Sequence, residues 1–203
     1  NVMFRGVCII FKDVQTLPFQ LNKNRSCYNL SSLMALSSSL SLHSCHWRHH
    51  VFPSFSGKDV RRTFISHLLK EFRRKGIRTF IDNDIKRSQM IGPELEQAVR
   101  ESRIAVVVLS RTDASSSWCM DELVGIKRVK PKIMPVFYEV NPSDVRKQRG
   151  EFGKAFEEAC EGKPEEVKQK WREALVYVAN IAGESSQNWD NHFLLMGSSS
   201  YTI

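Results

Sequence analysis

The segment from Ser117 to Glu122 brings together residue types that can do chemistry. Trp118 and Glu122 are four residues apart, so on a helix they share one face, where an indole ring and a carboxylate can line one pocket. A fixed carboxylate in such a pocket stabilises positive charge that develops on a bound molecule. The alternative is that Trp118 belongs to the core and Glu122 is a surface charge, and composition alone favours that alternative.

Cys119, three residues before Glu122, also has two interpretations. A reactive thiol needs a base, and a pairing of Cys119 with His67 has no motif behind it. A small, buried, apolar role is commoner for cysteine. The five cysteines of the chain are odd in number, widely spaced and without a C-x-x-C pair. This pattern favours free thiols in a reducing compartment, the cytoplasm, with the nucleus as the alternative.

The elements that must position these residues alternate between strand and helix. Strands are predicted at residues 51–55, 77–81, 103–109 and 133–138, and helices at residues 59–75, 93–101, 118–130 and 150–161 and from residue 164 onward. A loop is predicted at residues 141–144. Val60, Phe64, Leu68 and Phe72 form the apolar stripe of the first helix, and Gly76 ends it. Such alternation predicts an α/β fold with a parallel sheet that is covered on both faces.

In such folds ligands bind beyond the carboxyl ends of the strands, which indicates the loops at residues 56–58, 82–90 and 110–117. Gly57 permits a close approach of the backbone to a ligand, Ser117 can donate a hydrogen bond, and Arg87 can meet a phosphate. Each is equally consistent with ordinary solvated loop residues. No G-x-G-x-x-G motif and no Walker lysine motif occurs, so the sequence supports neither a dinucleotide Rossmann site nor a P-loop.

The net charge, the apolar runs and the possible metal ligands limit the functions that the chain can have. The net charge is +8 over 203 residues, which suits a solvated cationic surface, while a nucleic-acid binder is a weaker alternative. No apolar run approaches the ~20 residues that span a bilayer, so no membrane association is predicted. The cluster of His43, Cys45, His46, His49 and His50 has zinc-ligand types but no second cluster to complete a structural site, so no metal is predicted.

Four motifs, in this order along the chain, resemble those of plant TIR domains: VFPSFSGKD at residues 51–59, GIRTFID at 76–82, SWCMDEL at 117–123 and PVFYEVNPSDVR at 135–146. The resemblance implies a flavodoxin-like, three-layer α/β fold over residues 48–190 and a role in innate immunity. Residues 1–47 are then expected to be a disordered or non-native leader, with a transit peptide as the alternative. Residues 191–203 are expected to be an atypical tail, in which the family's last helix is missing or altered.

The resemblance also implies an activity, the cleavage of NAD⁺ or NADP⁺ at the nicotinamide N-glycosidic bond. These nucleotides would be substrates, and no separate cofactor is implied. Glu122 takes the catalytic position, and Trp118, Gly57, Ser117 and Arg87 are expected to bind the substrate. Cys119 matches a cysteine with a secondary role in the family. The rival interpretation is a module without enzymatic activity that binds other TIR domains, as an adaptor or decoy.

The family pairs through its first and last helices, and Ser66 and His67 match the residues of that contact. The chain departs from the family at His50, where the family usually has an aspartate, and at Ser56, Lys58, Ser88 and Gly125. The loss of an arginine at position 56 removes one expected phosphate or ribose contact. The altered end of the chain predicts weaker self-association and therefore reduced activity.

Overall fold

The computed structural model describes Ile10 and residues 47–56, 60–80, 93–129 and 131–189. Its sheet has four parallel strands in the order β1 (His49–Phe55), β2 (Ser102–Leu109), β3 (Lys132–Phe137) and β4 (Glu184–Ser185). The second predicted strand is reduced to one parallel bridge between Thr79 and Val51 on the outer side of β1. The two-residue strand β4, which pairs with Val136 and Phe137 of β3, was not predicted from the sequence.

The helices lie on both faces of this sheet, which confirms the predicted three-layer α/β fold. A π-helical turn at Arg61–Ile65 leads into α1 (Ser66–Arg74). The others are α2 (Pro93–Arg100), α3 (Arg111–Ala114), α4 (Ser117–Val129), α5 (Pro142–Lys147), α6 (Gly150–Cys160) and α7 (Glu165–Ala179), and a 3₁₀ turn at Ser186–Asn188 follows β4. None of the helices in these ranges is long and apolar enough to cross a membrane.

Alternate residues of β2 belong to two separate hydrophobic clusters. Ile104, Val106 and Val108 pack with α1 on one face, whereas Ala105, Val107 and Leu109 pack with α2, α4 and α7 on the other. A strand buried on both faces needs apolar residues throughout, as the sequence 103–109 predicted. The carboxyl ends of β1, β2 and β3 therefore share one edge of the sheet, and α3 and the start of α4 follow β2 at that edge.

The first helix follows its predicted stripe, since Val60, Phe64, Leu68 and Phe72 are all fully buried. It ends at Gly76, which has a φ of 69°. The amide of Gly76 donates to the carbonyl of Arg73, and the amide of Ile77 donates to that of Phe72, at 3.1 and 2.9 Å. This Schellman arrangement satisfies the last carbonyl groups of the helix and needs a left-handed residue at position 76.

Two predicted loops contain short helices. The serine-rich stretch after β2 includes α3, and the Asn141-Pro142-Ser143-Asp144 stretch begins α5. The side chain of Asn141 accepts a hydrogen bond from the amide of Ser143 at 2.8 Å, and Pro142 follows at the first helical position. These are start signals for a helix, but four to six residues are too short to show a hydrophobic period.

His50 joins β1 to the segment that contains Arg78. At this position the plant TIR domains that the sequence resembles usually have an aspartate. The Nδ1 of His50 accepts a hydrogen bond from the backbone amide of Arg78 at 2.9 Å. Burial, followed by the charges of Arg78 and Arg103, lowers the pKa of His50, which favours the neutral ring that this bond requires. A neutral histidine thus supplies an acceptor, as a carboxylate would.

Two glycines provide a matched test of this fold. Gly76→Ala should lower the free energy of unfolding by about 1 kcal/mol, because alanine resists a positive φ although no atom lies within 4 Å of the added Cβ. Gly125→Ala, in the interior of α4, should raise it by about 0.5–1 kcal/mol, because its nearest neighbour, Leu95 Cδ2, is 4.0 Å away. Urea unfolding measures both, and shifts of the same sign would contradict this account.

Candidate functional site

The helix α4 begins at the carboxyl edge of the sheet, and the serine just before it caps its N-terminus. The Oγ of Ser116 accepts a hydrogen bond from the amide of Cys119 at 3.3 Å, which is the geometry of an N-cap. The carbonyl of Ser116 accepts from the amide of Met120 at 3.0 Å. The first turn of α4, which carries Trp118 and Cys119, is therefore held where β2 ends.

Glu122 lies on the core-facing stripe of α4. Its side chain is only 8% exposed, so the alternative of a surface charge is wrong. The other buried residues of the helix are Cys119, Met120, Leu123, Ile126 and Val129. Among these apolar neighbours Glu122 is the one charged residue, in a position where helix periodicity calls for an apolar side chain. A carboxylate in such surroundings acts more strongly on nearby charge than it would in water.

Trp118 is half-buried and packs against the hydrophobic cluster of α2, α4 and α7. It lies one helical turn before Glu122 on the same side of α4, as the spacing predicted. Ser117, half-buried, is the first residue of the helix. Gly57 and Arg87, the two other candidates for substrate binding, lie outside the described residues, as does the loop 82–90.

Cys119 has a protonated thiol. Burial raises the pKa of Cys119, and the negative charges of Asp113 and Glu122 raise it further, while a hydrogen bond from Ser116 acts in the opposite direction. The thiolate is the reactive form of cysteine, so this environment opposes a nucleophilic role. His67 cannot serve as its base, because α1 packs on the opposite face of the sheet from Cys119.

Asp113, in α3, was missed by the sequence analysis. It is 5% exposed, and after burial its negative charge is the next cause of the raised pKa of Cys119. An acidic residue inside a serine-rich stretch has the pattern of a solvated loop, and no periodicity in four residues could reveal its burial.

Two cavities lie elsewhere on the described surface. One, of about 390 Å³, is at the ends of β3 and β4 and is lined by Arg111, Tyr138, Glu139, Val140, Asn141, Asp144, Glu151, Phe152 and Gln187. The other, of about 260 Å³, is a groove lined by Leu95, Glu96, Asp121, Val124, Gly125, Arg128, Val167, Lys170 and Trp171. Neither is lined by Glu122 or Trp118. Within the described ranges, no group of three histidine, cysteine, aspartate or glutamate residues is placed to hold a metal ion.

Ser66 and His67 lie far from these groups in the fold. Both side chains are exposed on α1, and the Oγ of Ser66 donates to the carbonyl of Arg62 at 3.1 Å. The end of the chain that was expected to provide the partner helix, residues 191–203, lies outside the described residues.

Comparisons with known proteins agree with this architecture. A probable disease resistance protein, RPP1 of Arabidopsis thaliana, is 53% identical over 177 residues, and the disease resistance-like protein DSC2 of the same plant is 58% identical over 148 residues. These matches cover 85% and 71% of this chain. The chain spans only 15% and 12% of the length of these two relatives.

The TIR domains in a structure of the activated Roq1 resistosome, which directly recognises the pathogen effector XopQ, superpose with a TM-score of 0.61 at 41% identity. That superposition covers 74% of this chain and 99% of the matched one. The family model of the TIR domain matches residues 48–200. The chain therefore belongs to the TIR-domain family, as its four sequence motifs predicted, and it is similar to plant disease resistance proteins.

Proposed function

We propose that this TIR domain cleaves NAD⁺, or NADP⁺, at the bond between ribose and nicotinamide, with Glu122 as the catalytic carboxylate, and that it serves plant defence signalling in the cytoplasm or nucleus. The observation that carries the proposal is the burial of Glu122 on the core-facing stripe of α4, beside Trp118 and at the carboxyl edge of a parallel sheet. Ligands of open α/β sheets bind at that edge.

The chemistry makes a small demand on the protein. Nicotinamide carries a positive charge while it is bound to ribose, so it leaves as a neutral molecule without a general acid. The bond to C1′ breaks, the ribose passes through an oxocarbenium-like state, and water adds to C1′ with release of a proton. The products are ADP-ribose and nicotinamide. One fixed carboxylate that orients the ribose and stabilises the cationic state supplies the main protein contribution.

Each predicted site residue then has a role. In this proposal the indole of Trp118 contacts the substrate, and Ser117 donates a hydrogen bond to it from the start of α4. Gly57 and Arg87, outside the described residues, keep the roles predicted from the sequence, a close approach of the backbone and a contact with a phosphate. The raised pKa of Cys119 favours its protonated thiol, so it takes no nucleophilic part.

Substitution of Glu122 tests the assignment. Glu122→Gln and Glu122→Ala should each lower kcat for NAD⁺ cleavage by about 100-fold or more, because the transition state loses its counter-charge. The matched control is Asp121→Asn, on the same helix. Asp121 accepts a hydrogen bond from Trp171 Nε1 at 2.8 Å, and an asparagine oxygen can accept it too. Product formation is followed by mass spectrometry with the purified 203-residue chain.

Unchanged turnover in Glu122→Gln would remove Glu122 from catalysis. An absence of turnover in the unmodified chain, even when it is concentrated on a surface, would favour the second candidate, a module that binds other TIR domains without cleaving NAD⁺. The observation that favours this candidate is the exposure of the adjacent pair Ser66 and His67 on α1.

Self-association is proposed for this same pair, since the TIR domains of Roq1 occur together in a resistosome. His67→Ala combined with Ser66→Ala should abolish any dependence of specific turnover on protein concentration and lower the apparent mass in light scattering. Lys70→Ala, one turn further along the exposed side of α1, is the matched control. A doubly substituted chain that still associates like the unmodified one would exclude this surface.

A further inference from the structure

The exposed side of α1, together with the π-helical turn before it, carries an excess of positive charge. Residues 61–75 include six lysine and arginine side chains and one acidic side chain, Glu71. Glu71 is already paired with Arg74, at 2.6 Å between Oε1 and Nη2. Three exposed cations form no ion pair with the residues that the structure describes, namely Arg62, Lys70 and Arg73. Lys70 lies three residues before Arg73, a spacing at which like charges repel each other on a helix.

These cations surround Ser66, one of the two residues proposed for self-association. Arg62, Ser66 and Lys70 recur every four residues, and Arg73 follows Lys70 after three, so they share one side of the helix. These four exposed residues form the cationic face of α1. A surface that contacts Ser66 must therefore contact the cations as well. A second α1 in that place would bring like charges together and oppose binding, whereas an acidic surface would favour it.

The densest group of acidic residues in the described chain lies where α6 ends and α7 begins. Residues 157–166 include five glutamates, all of them exposed, and one cation, Lys163. Glu165 is paired with Arg172 at 2.7 Å. The other four form no ion pair with any described residue, and they make up the acidic corner: Glu157, Glu158, Glu161 and Glu166.

The helix that carries part of the acidic corner does not compensate its charge. Glu157 and Glu158 lie in the last turn of α6, which contains no basic residue. The carbonyl end of a helix has a partial negative charge, so acidic side chains destabilise it and cations stabilise it. A cationic partner would therefore stabilise the acidic corner, just as an acidic partner would stabilise the cationic face of α1.

The cationic face and the acidic corner lie on opposite sides of the sheet. The helix α1 packs through Phe64 and Leu68 into one hydrophobic cluster, whereas α6 packs through Phe152 and Phe156 into the other. The two surfaces therefore cannot meet within one chain. Complementary surfaces that lie apart on one molecule can pair between copies, and repetition of that contact gives a ring or an open chain of copies.

We propose that the cationic face of α1 in one copy docks on the acidic corner of a second copy. The proposal rests on the self-association proposed above and identifies the surface that Ser66 meets. Each copy supplies both halves of the contact, so the assembly is head-to-tail. Because the paired charges are exposed in the single chain, salt screens their attraction, and association weakens as the ionic strength rises.

Charge reversal tests the proposal in the 203-residue chain. One variant combines Arg62→Glu with Arg73→Glu, and the other combines Glu158→Lys with Glu161→Lys. Each variant alone should have an association constant about tenfold lower or less at low salt, because its two surfaces then carry charge of the same sign. Sedimentation equilibrium measures the constant, and circular dichroism measures whether each variant is folded.

Recovery of opposite signs should restore the association. In an equimolar mixture of the two variants, the reversed α1 of one chain meets the reversed corner of the other. A single chain with all four substitutions has both surfaces reversed. Both samples should associate within about threefold of the unmodified chain, since the attraction between unlike charges is recovered.

A matched control separates this contact from an effect of net charge. Lys132→Glu combined with Lys147→Glu changes the net charge by the same amount, at two exposed residues outside both surfaces. Its association constant should stay within about twofold of that of the unmodified chain, as expected for isolated surface charges. Lys70→Ala removes one of several cations and should change the constant by no more than about threefold.

The outcomes are distinct. Unchanged association after either reversal, or failure of both the mixture and the fourfold variant to recover, would overturn the proposal. If a reversed chain does not fold, the unmodified chain decides: its association constant should fall about tenfold or more from low to high salt, and a constant that is independent of salt overturns the proposal.

Two further results concern rival interpretations. If the reversal at Arg62 and Arg73 abolishes binding of a double-stranded DNA oligonucleotide but leaves association unchanged, the cationic face serves nucleic acid and the proposal is wrong. Absence of NAD⁺ cleavage removes the proposed enzymatic function but not this contact. Absence of association in the unmodified chain at low salt removes this contact but not the enzymatic function.

Discussion

Burial of β2 on both faces is the constraint on which the rest of the molecule depends. Six consecutive apolar side chains, from Ile104 to Leu109, alternate between two hydrophobic clusters and are almost completely removed from water. Each contributes about 1–3 kcal/mol relative to exposure, so neither layer of helices can be lost without a large cost. The neighbours of such a strand must run parallel to it and return through helices, which brings the loops after β1, β2 and β3 to one edge.

At that edge two buried positions carry acidic residues, whereas the core elsewhere is built mainly from apolar side chains. Position 122 belongs to an apolar stripe but carries a carboxylate, and a second buried carboxylate, Asp113, lies on the preceding helix. Acidic residues at buried positions are expected where a site needs a carboxylate that is held in a fixed position among apolar groups. Both acidic residues precede Leu123, and the later turns of α4, with Leu123, Ile126 and Val129, carry apolar side chains at their buried positions.

The sequence predicted the elements that carry a strong period. The stripe from Val60 to Phe72, the doubly buried strand β2 and the end of α1 at Gly76 all follow from side-chain spacing and backbone preference. Residues 110–117 and 141–144 were predicted as loops and contain helices, because α3 and α5 are too short to show a period. The strand β4 has two residues and exists through its pairing with β3, which is a tertiary interaction that no local pattern encodes.

For the site, the shared face of Trp118 and Glu122 was predictable because helical spacing alone determines it. The burial of Glu122 was not, since it depends on how α4 packs against the sheet, and composition favoured the opposite result. Asp113 escaped notice for the same reason. Local spacing therefore identifies which side chains can share a face, whereas tertiary packing decides whether their charges are solvated.

The second hydrophobic cluster connects the proposed association surface to the last described residues. The ring of Phe64 lies 5.1 Å from that of Trp189 and 5.6 Å from that of Tyr138, between centroids. Phe64 precedes Ser66 and His67 by less than one turn, so the packing of Trp189 helps to set the angle at which α1 presents them. Tyr138 stands at the carboxyl end of β3, on the same edge as the start of α4. The proposed association surface on α1 and the proposed site on α4 therefore lie on opposite faces of one sheet.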